Sequence, residues 1–307
     1  MIDILMATYN GEKYLRPQLD SILQQSNQEW RLIIRDDCST DRTVQIIKEY
    51  QLLRPEQIVL LQAEQPSGSA QNNFFQLLQY SEAEYIMFAD QDDVWLKNKV
   101  QLTLDKMQQL EQQYGNDVSL LVHTDLAVVD ERLRTINPSL FAMQNMSAER
   151  KQLNNILVQN IVTGCTMMIN RSLLQLITTV PQYAVMHDMW LALVAAAFGQ
   201  IGFISKATML YRQHGNNANG AKNVKTLRYL LWKLTGAKEI HQGLVKQYRQ
   251  VAEFLEIYQD LLSAEQQQML QAYSLLEHQP IWKKYKTLKK YHLYKKGIIR
   301  VLGQILL

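Results

Sequence analysis

Short apolar segments alternate with helical patterns over the first 93 residues, and this order constrains the fold more than any other feature of the chain. Short apolar segments bounded by turn residues predict buried strands, and apolar residues at helical spacing predict the helices between them. The predicted strands are residues 2–8, 30–35, 58–62 and 85–89. The predicted helices are residues 14–23, 43–53 and 70–80. Strands separated by helices of this length predict an α/β fold with a doubly wound, mostly parallel sheet.

The remainder of the chain is less regular and then becomes wholly helical. Helical patterns cover residues 97–114 and 187–198, and strand patterns cover residues 119–123, 165–170, 201–204 and 208–212. Beyond about residue 222 the helical patterns are residues 227–234, 244–262 and 266–276. We therefore predict two domains, an α/β domain over residues 1–221 and a helical C-terminal region over residues 222–307.

Charge separates the same two regions. Residues 222–307 carry 15 Lys and Arg and 6 Asp and Glu, a net charge of +9, whereas residues 1–221 carry a net charge of −6. An acidic body with a basic C-terminal region favours an enzyme that works beside a negatively charged surface. The helical region could also serve as the interface of a homo-oligomer.

The basic charge is densest at the C-terminal end of the sequence. Residues 281–307 contain eight Lys and Arg and no acidic residue, with aromatic and aliphatic residues between the lysines. This composition favours an interfacial helix on an anionic membrane surface. Two alternatives stay open, a helix packed on the catalytic domain and a nucleic-acid-binding segment. No nucleic-acid motif accompanies the charge, so we expect no nucleic-acid partner.

Three observations indicate a cytoplasmic location. Two cysteines, Cys38 and Cys165, cannot build a disulfide framework, which favours a reduced setting. The longest apolar run, residues 190–198, is far shorter than the ~20 residues that span a bilayer. The start of the sequence lacks the basic segment of a signal peptide. With the basic tail, this predicts a cytoplasmic protein held peripherally at the inner face of the cell membrane.

The acidic cluster Asp90-Gln91-Asp92-Asp93 is the sharpest chemical signal. It directly follows the fourth predicted strand, and in doubly wound sheets ligands bind beyond the carboxyl ends of the strands. Three carboxylates within four residues repel one another unless a cation neutralises them, and hard oxygen ligands suit Mg²⁺ or Mn²⁺ on a diphosphate. The alternative is a solvated acidic turn.

Polar residues also follow the first two predicted strands, at residues 8–10 and at Asp36 and Asp37. A carboxylate at such a strand end can accept a hydrogen bond from the imide N–H of uracil or thymine. One residue among 39–41 is also expected to cap the next helix.

Two later pairs each allow a structural and a chemical interpretation. Asp188, after His187, either supports a helix N-terminus or acts as a general base on an acceptor hydroxyl. Arg212 and His214 end a strand pattern, and His214 is either a loop histidine or a ligand of a metal or diphosphate.

These residues together resemble the family 2 glycosyltransferases, over roughly residues 1–215. The matching stretches are ILMATYNG at 4–11, IRDDCSTD at 34–41 and FADQDDVW at 88–95, followed in order by HD at 187–188 and YRQH at 211–214. TGCTMM at 163–168 and MHD at 186–188 are most similar to streptococcal-type bacterial rhamnosyltransferases, which build rhamnose-containing cell-wall or capsular polysaccharides. Cys38 departs from the pattern, because glycine is common after the paired aspartates.

The resemblance implies a GT-A fold, with residues 1–221 as the nucleotide-sugar-binding and catalytic domain. It implies an inverting, metal-dependent transfer of L-rhamnose from dTDP-L-rhamnose to a lipid-linked or growing cell-wall or capsular polysaccharide. The alternatives are a UDP-hexose donor, a sugar nucleotidyltransferase, and a non-catalytic carbohydrate-binding protein. The sequence lacks the glycine-rich phosphate loop of a nucleotidyltransferase near residues 8–11.

The resemblance also implies roles for individual residues. Thr8, Tyr9 and Asn10 would border the nucleotide, Asp36 would read its base and Asp90 would contact its ribose. A separate set would perform the chemistry: Asp92 and His214 as ligands of Mn²⁺ or Mg²⁺, and Asp188 as the catalytic base. Further candidate contacts of the acceptor or the diphosphate are Asp93, Gly164, Cys165, His187, Trp190 and Arg212.

Overall fold

The structure, a computed structural model, describes residues 1–215 and 236–306 and divides them into two compact units. The first unit comprises residues 1–141, 162–180 and 200–215. The second comprises residues 142–161, 181–199 and 236–306. The predicted domain boundary at 221/222 and the predicted helix over 227–234 lie outside the described residues.

The first unit carries a mixed sheet. Its strands, within the described residues, are β1 Ile2–Thr8, β2 Trp30–Asp36, β3 Ile58–Gln62, β4 Tyr85–Asp90, β5 Val94–Trp95, β6 Ser119–Val129, β7 Thr135–Asn137, β8 Met168–Asn170 and β9 Gly199–Arg212. They follow the order β3-β2-β1-β4-β8-β6-β9-β5, and β7 pairs with β6. The pairs among the first four strands are parallel, whereas β8 pairs antiparallel with both β4 and β6. The predicted α/β class and doubly wound parallel core are therefore confirmed.

Helices connect and cover the parallel strands. They are α1 Leu15–Leu23, α2 Thr43–Leu53, α3 Ala70–Leu78 and α4 Lys99–Tyr114. Contacts join α3 to β1 and β2, α2 to β3, and α4 to β6 and β8. Nearly every residue of β1 and β4 is buried, as expected for parallel strands covered on both faces. The strand predicted over 165–170 divides into a 3₁₀ turn, Gly164–Thr166, and the short strand β8.

The second unit is helical. After the one-turn helix α5 Leu140–Met143 come α6 Leu153–Val158, α7 Arg171–Gln175 of the first unit, α8 His187–Phe198, α9 Ala237–Tyr258, α10 Ala264–Ser274, α11 Ile281–Lys290 and α12 Ile298–Leu306. Its core contains aromatic rings, with Trp190 edge-on to Phe254 at 5.4 Å between ring centroids. A reciprocal pair of hydrogen bonds between Ser263 and Gln266 caps α10. Helices in the C-terminal region are thus confirmed. No helix in the described part of the chain is long and apolar enough to cross a membrane.

Candidate active site

The parallel register brings three polar loops to one edge of the sheet. Thr8 pairs with Asp36 across β1 and β2, and Ala7 pairs with Asp90 across β1 and β4. The loops after these strands therefore start side by side at the carboxyl ends, where ligands of such sheets bind. The Gln18 side chain also donates to the Asp90 carbonyl at 2.9 Å, which ties α1 to the third loop.

A reciprocal amide pair holds the loop after β1 against the acidic loop after β4. The Tyr9 N–H donates to Gln91 Oε1 and Gln91 Nε2 donates to the Tyr9 carbonyl, both at 2.9 Å. Gly11 is needed beside this pair, because a Cβ at Gly11 would lie 2.2 Å from Gln91 Oε1. The Tyr9 side chain remains 57% exposed, so its ring is accessible to a ligand.

Asp36 is buried and hydrogen-bonded at both carboxylate oxygens. Its Oδ1 accepts from Thr8 Oγ1 at 2.9 Å and from Ser39 Oγ at 2.6 Å, and its Oδ2 accepts from the Ser39 N–H at 2.8 Å. A carboxylate offers about four acceptor positions, so this arrangement leaves about one for a ligand. The neighbouring Asp37 instead accepts from Arg35 Nη1 and from Ser67.

Two residues of these loops adopt left-handed backbone conformations. Asn10 has φ of 46° and Cys38 has φ of 63°. The conformation at Cys38 explains why a related sequence would have glycine there, since a side chain at this φ is disfavoured. The prediction that one of residues 39–41 caps α2 is wrong, because the N-cap residue is Arg42. The Asp41 carboxylate, one residue earlier, accepts from the Thr43 N–H at 2.9 Å.

The pairing of β5 with β9 brings the C-terminal motif to the acidic loop. Val94 pairs with Leu210 in an antiparallel ladder, so residues just before Val94 face residues just after Leu210. His214 Nε2 consequently lies 2.7 Å from Asp92 Oδ2. These two residues, 122 positions apart in the chain, were predicted as a ligand pair, and the structure brings them together.

Asp92 and His214 fit a divalent cation by the chemistry of their donor atoms. A carboxylate oxygen and an imidazole nitrogen are both ligands of such ions in proteins, and here the two atoms lie 2.7 Å apart. An imidazole ligand suits Mn²⁺ better than the harder Mg²⁺.

Arg212 organises the loop around this pair. Its Nε donates to the Asp92 carbonyl at 2.8 Å, its Nη1 donates to the Glu131 carbonyl at 2.7 Å, and its backbone N–H donates to Asp93 Oδ1 at 3.1 Å. The side chain is buried. Arg212, predicted as a diphosphate or acceptor contact, thus has a clear role in shaping the acidic loop.

Asp93 and Cys165 lie beneath the loop, away from solvent. Asp90, Asp93 and Cys165 offer ligand atoms within 4.8 Å of one another. Burial and the charges of Asp92 and Asp90 raise the pKa of the Asp93 carboxyl, and burial raises the pKa of the Cys165 thiol. The Cys165 thiol therefore keeps its proton near neutral pH. This favours a structural role for Cys165 over a metal-binding one, because a thiol must lose its proton to bind a metal.

A buried lysine accompanies this cluster. Lys99, at the start of α4, is fully buried, and burial lowers its pKa to about 8. Its ammonium group lies 4.9 Å from the centroid of the Trp95 ring and 3.5 Å from Thr208 Oγ1. Gly164, predicted as an acceptor contact, is buried in the turn that carries Cys165.

The predicted base lies in the second unit, in the first turn of α8. Asp188 Oδ1 accepts a hydrogen bond from Asn160 Nδ2 at 3.2 Å, and the helix N-terminus favours a carboxylate there. His187 is buried, and burial lowers its pKa to about 3, so its imidazole is neutral at physiological pH. Trp190 is 1% exposed and packs against Phe254, which makes it a core residue rather than an acceptor contact.

Sequence reasoning missed several residues that contact candidate site residues. Gln91 and Ser39 stood inside the recognised motifs, and their amide and hydroxyl groups were a usable signal. The residues Tyr14, Lys99 and Asn160 carried no such signal, because only the folded chain brings each beside a candidate site residue.

The sheet order and the helices that cover it define the GT-A fold. The structure of residues 1–349 of Staphylococcus aureus TarS in complex with UDP has a TM-score of 0.57 at 17% identity, covering 98% of this chain and 94% of that one. The mannosyltransferase PcManGT from Pyrobaculum calidifontis in complex with GDP-Man and Mn²⁺ has a TM-score of 0.54 at 13% identity, covering 99% and 86%. At these identities the likeness shows the fold.

Sequence comparison identifies the family. Residues 3–177 match the model described as Glycosyl transferase family 2. The dTDP-rhamnosyl transferase RfbG of Shigella flexneri is 32% identical over 229 residues, which cover 70% of this chain and 74% of that protein. The glucosyltransferase WfgD of Escherichia coli, which acts on an α-D-GlcNAc-diphosphoundecaprenol, is 27% identical over 177 residues, covering 57% and 62%. The chain therefore belongs to glycosyl transferase family 2 and is a glycosyltransferase, which sets aside the nucleotidyltransferase and non-catalytic alternatives.

Proposed function

We propose that this enzyme transfers L-rhamnose from dTDP-L-rhamnose, with inversion, to a lipid-linked or growing cell-wall or capsular polysaccharide. The observation that carries the proposal is the 32% identity to a dTDP-rhamnosyl transferase over most of both chains. A relative whose printed acceptor is a diphosphoundecaprenol-linked sugar supports the lipid-linked acceptor.

The donor nucleotide would bind at the edge formed by the first three loops. Thr8, Tyr9 and Asn10 would border it, and the remaining acceptor position of Asp36 would take the imide N–H of thymine. Asp90 would contact the ribose. The exposed Tyr9 ring and the tight bonding between these loops support a preformed nucleotide site.

The diphosphate would be held by Mn²⁺ between Asp92 and His214. When bound, the cation supplies Lewis-acid stabilisation of the departing nucleoside diphosphate. The short contact between the two side chains supports this site, since it brings an oxygen and a nitrogen donor together at one place.

Asp188 would act as the general base. In the proposed single displacement, the acceptor oxygen forms a bond to the anomeric carbon as the bond from that carbon to the diphosphate oxygen breaks. The acceptor hydroxyl proton passes to the Asp188 carboxylate, and the bonding electrons leave with the diphosphate. No covalent sugar–enzyme intermediate forms, so no second nucleophilic carboxylate is required.

A UDP-hexose donor is the second candidate. The TarS structure holds UDP, and the printed name of WfgD includes UDP-Glc. A carboxylate at Asp36 pairs equally well with uracil and thymine, so this residue does not discriminate between the two.

A donor panel tests the proposal. The purified enzyme receives dTDP-L-rhamnose, UDP-glucose or UDP-GlcNAc with a lipid-linked acceptor, with Mn²⁺ or with EDTA, and nucleoside diphosphate release and glycan mass are measured. We expect turnover with dTDP-L-rhamnose in Mn²⁺ and little in EDTA. Faster turnover with either UDP-sugar would overturn the rhamnose assignment, and full turnover in EDTA would overturn the metal requirement.

We also propose that the enzyme works peripherally at the inner face of the membrane, through one face of α11. One face of this helix, with Lys284 and Leu288, packs inside the second unit, where Leu288 is fully buried. Trp282 and Tyr285 lie on the other side and are 56% and 47% exposed, and Ile281, the first residue of the helix, is 53% exposed. Exposed aromatic residues at helical spacing suit the boundary between water and lipid.

Lysines surround these exposed residues. The ammonium groups of Lys283 and Lys286 lie 5.4 and 5.0 Å from the Trp282 ring, and Lys289 and Lys290 are also exposed. Each lysine near an anionic surface contributes up to ~1 kcal/mol. The mixture of basic and aromatic groups therefore favours an anionic lipid bilayer as the partner, which would bring the enzyme to a lipid-linked acceptor.

The segment after α11 forms hydrogen bonds with other segments of the second unit. Lys296 Nζ donates to the Met146 carbonyl and Arg300 Nη2 to the Gln144 carbonyl, both at 3.0 Å, and Arg150 donates to the Tyr294 carbonyl. Packing of the tail and binding of the tail to a membrane are therefore compatible. The packed side of the tail faces the second unit, whereas the proposed membrane-binding side of α11 is exposed. Point substitutions test the membrane face better than removal of residues 281–307, which would expose the core of the unit.

A further inference from the structure

The ring of Tyr14, in the first unit, lies beside two side chains that contact the acidic loop. These are Arg212, the last residue of β9, and His214, just after it. The Tyr14 and His214 ring centroids are 4.7 Å apart, with 28° between the ring planes. The Arg212 guanidinium carbon lies 4.7 Å from the Tyr14 centroid. His214 in turn contacts the Asp92 side chain, and Arg212 contacts the Asp92 carbonyl. Tyr14 therefore touches two of the groups that surround Asp92.

The position of Tyr14 is set by its backbone. Its N–H donates to the Gly11 carbonyl at 3.1 Å, immediately before α1. The face of its ring makes the contacts with the His214 imidazole and the Arg212 guanidinium. A stacked ring limits rotation of the imidazole, and an aromatic face attracts a guanidinium.

We infer that Tyr14 is a positioning residue of the metal–diphosphate site, whose ring orients the His214 imidazole so that Nε2 is presented beside Asp92. The inference rests on the proposed metal site. Substituting a residue that orients a metal ligand without itself touching the metal typically lowers metal affinity by roughly 10–100-fold. The alternative is that Tyr14 only fills space at the start of α1, with no effect on His214.

Two substitutions at this position separate the alternatives. Tyr14→Leu removes the ring and keeps an apolar side chain, whereas Tyr14→Phe keeps the ring and removes the hydroxyl. Mn²⁺ affinity is measured on the full chain with dTDP present, from the electron paramagnetic resonance signal of free Mn²⁺. We expect the Leu variant to bind Mn²⁺ roughly 10–100-fold more weakly and the Phe variant to bind it like the wild type. Should Tyr14→Leu fail to fold, Tyr14→Met replaces it.

A second measurement does not depend on the metal. In histidine-labelled, metal-free protein, the ring current of Tyr14 displaces the His214 resonances, which are assigned by their loss in His214→Ala. The displacement should persist in Tyr14→Phe and disappear in Tyr14→Leu. In the His214→Ala background, Tyr14→Leu should weaken Mn²⁺ binding no further, because its effect passes through His214.

Three results would overturn the inference. They are a folded Tyr14→Leu variant with wild-type Mn²⁺ affinity, a Tyr14→Phe variant as weak as Tyr14→Leu, and additive losses in the His214→Ala background. A different result would reject the proposed metal site rather than the ring contact between Tyr14 and His214. A wild type that binds Mn²⁺ no better than Asp92→Asn would reject the metal site itself, and with it any metal role for Tyr14, whereas the resonance displacement would still report the ring contact.

Discussion

The acidic edge of the first unit and the basic face of α11 in the second unit both concentrate charge, but they hold it in opposite ways. At the acidic edge, Asp36 and Asp37 are buried and bonded to hydroxyls, backbone N–H groups and Arg35, and His214 lies against Asp92. On α11, Lys283 and Lys286 are exposed beside an exposed Trp282.

This difference indicates two kinds of recognition. Groups held in fixed positions can match the shape and protons of one small ligand, because their orientation is already determined. Exposed lysines on flexible stems interact with the field of an extended surface and need no single geometry. Substitutions at the acidic edge should therefore remove activity outright, whereas substitutions on the basic face should change binding in steps that depend on salt.

The largest effect is expected at Asp188. Asp188→Asn keeps the size of the side chain but cannot take a proton, so transfer should fall roughly 10²–10⁴-fold. Calorimetry should still give near wild-type affinity for the nucleoside diphosphate. Asp260→Asn, an exposed substitution in the same unit, is the control. Loss of nucleotide affinity or of folding in Asp188→Asn would favour a purely structural role at the helix N-terminus.

Asp92→Asn should come next. Loss of one ligand charge should lower Mn²⁺-supported transfer about 10²–10³-fold, while the fold stays intact because a repulsive charge is removed. Asp117→Asn removes the same charge from an exposed site in the same unit and should leave turnover unchanged. Retained turnover of Asp92→Asn in saturating Mn²⁺ would argue that the acidic edge holds no metal through this residue.

The two faces of α11 should differ in stability. Leu288→Ala empties a fully buried position and should lower the free energy of unfolding by about 2–5 kcal/mol. Trp282→Ala removes a ring that is 56% exposed and should cost well under half as much. Urea unfolding followed by circular dichroism checks both variants. Equal losses would mean that Trp282 is a packing residue, and the proposed membrane face would be lost.

Membrane binding should respond to where charge is removed. Replacing Lys283, Lys286 and Lys289 by Gln should weaken binding to phosphatidylglycerol-containing vesicles by up to roughly a hundredfold at low salt. Replacing exposed Lys48, Lys97 and Lys206 removes equal charge from the first unit and should have little effect. Hydrolysis of the sugar nucleotide should be unaffected by either triple substitution. An equal loss of vesicle binding in the two triple-substituted variants would contradict a local lipid-binding face. Vesicle binding only by a self-associated oligomer would also contradict it.

The smallest effect is expected at Cys38. Cys38→Gly removes a side chain from a residue with φ of 63°, which should stabilise the protein by up to about 1 kcal/mol after the added flexibility of the unfolded chain is counted. Cys38→Ala keeps a Cβ in the same conformation and should give no gain. A gain in Cys38→Ala equal to that in Cys38→Gly would show that the thiol, and not the backbone, is the source of strain.

Several elements were determined by the sequence alone. Strands β1 and β3 and helices α2 and α8 have the predicted bounds, because each is a short apolar segment or an amphipathic repeat ended by turn residues. The acidic loop and the paired aspartates also follow from local signals, since polar residues after a buried strand are costly unless they face a ligand or solvent. The domain division and the individual site roles stay predictions.

The tertiary structure alone decided which distant residues meet. The pairing of Val94 with Leu210 places His214 beside Asp92, and the resulting stack on Tyr14 has no counterpart in local sequence spacing. The fold also buries Trp190 in the core and leaves Trp282 exposed, although both are tryptophans on helices. Local patterns report the preferences of neighbouring residues, whereas contacts between distant segments depend on which apolar faces are buried together, and only the assembled fold contains that information.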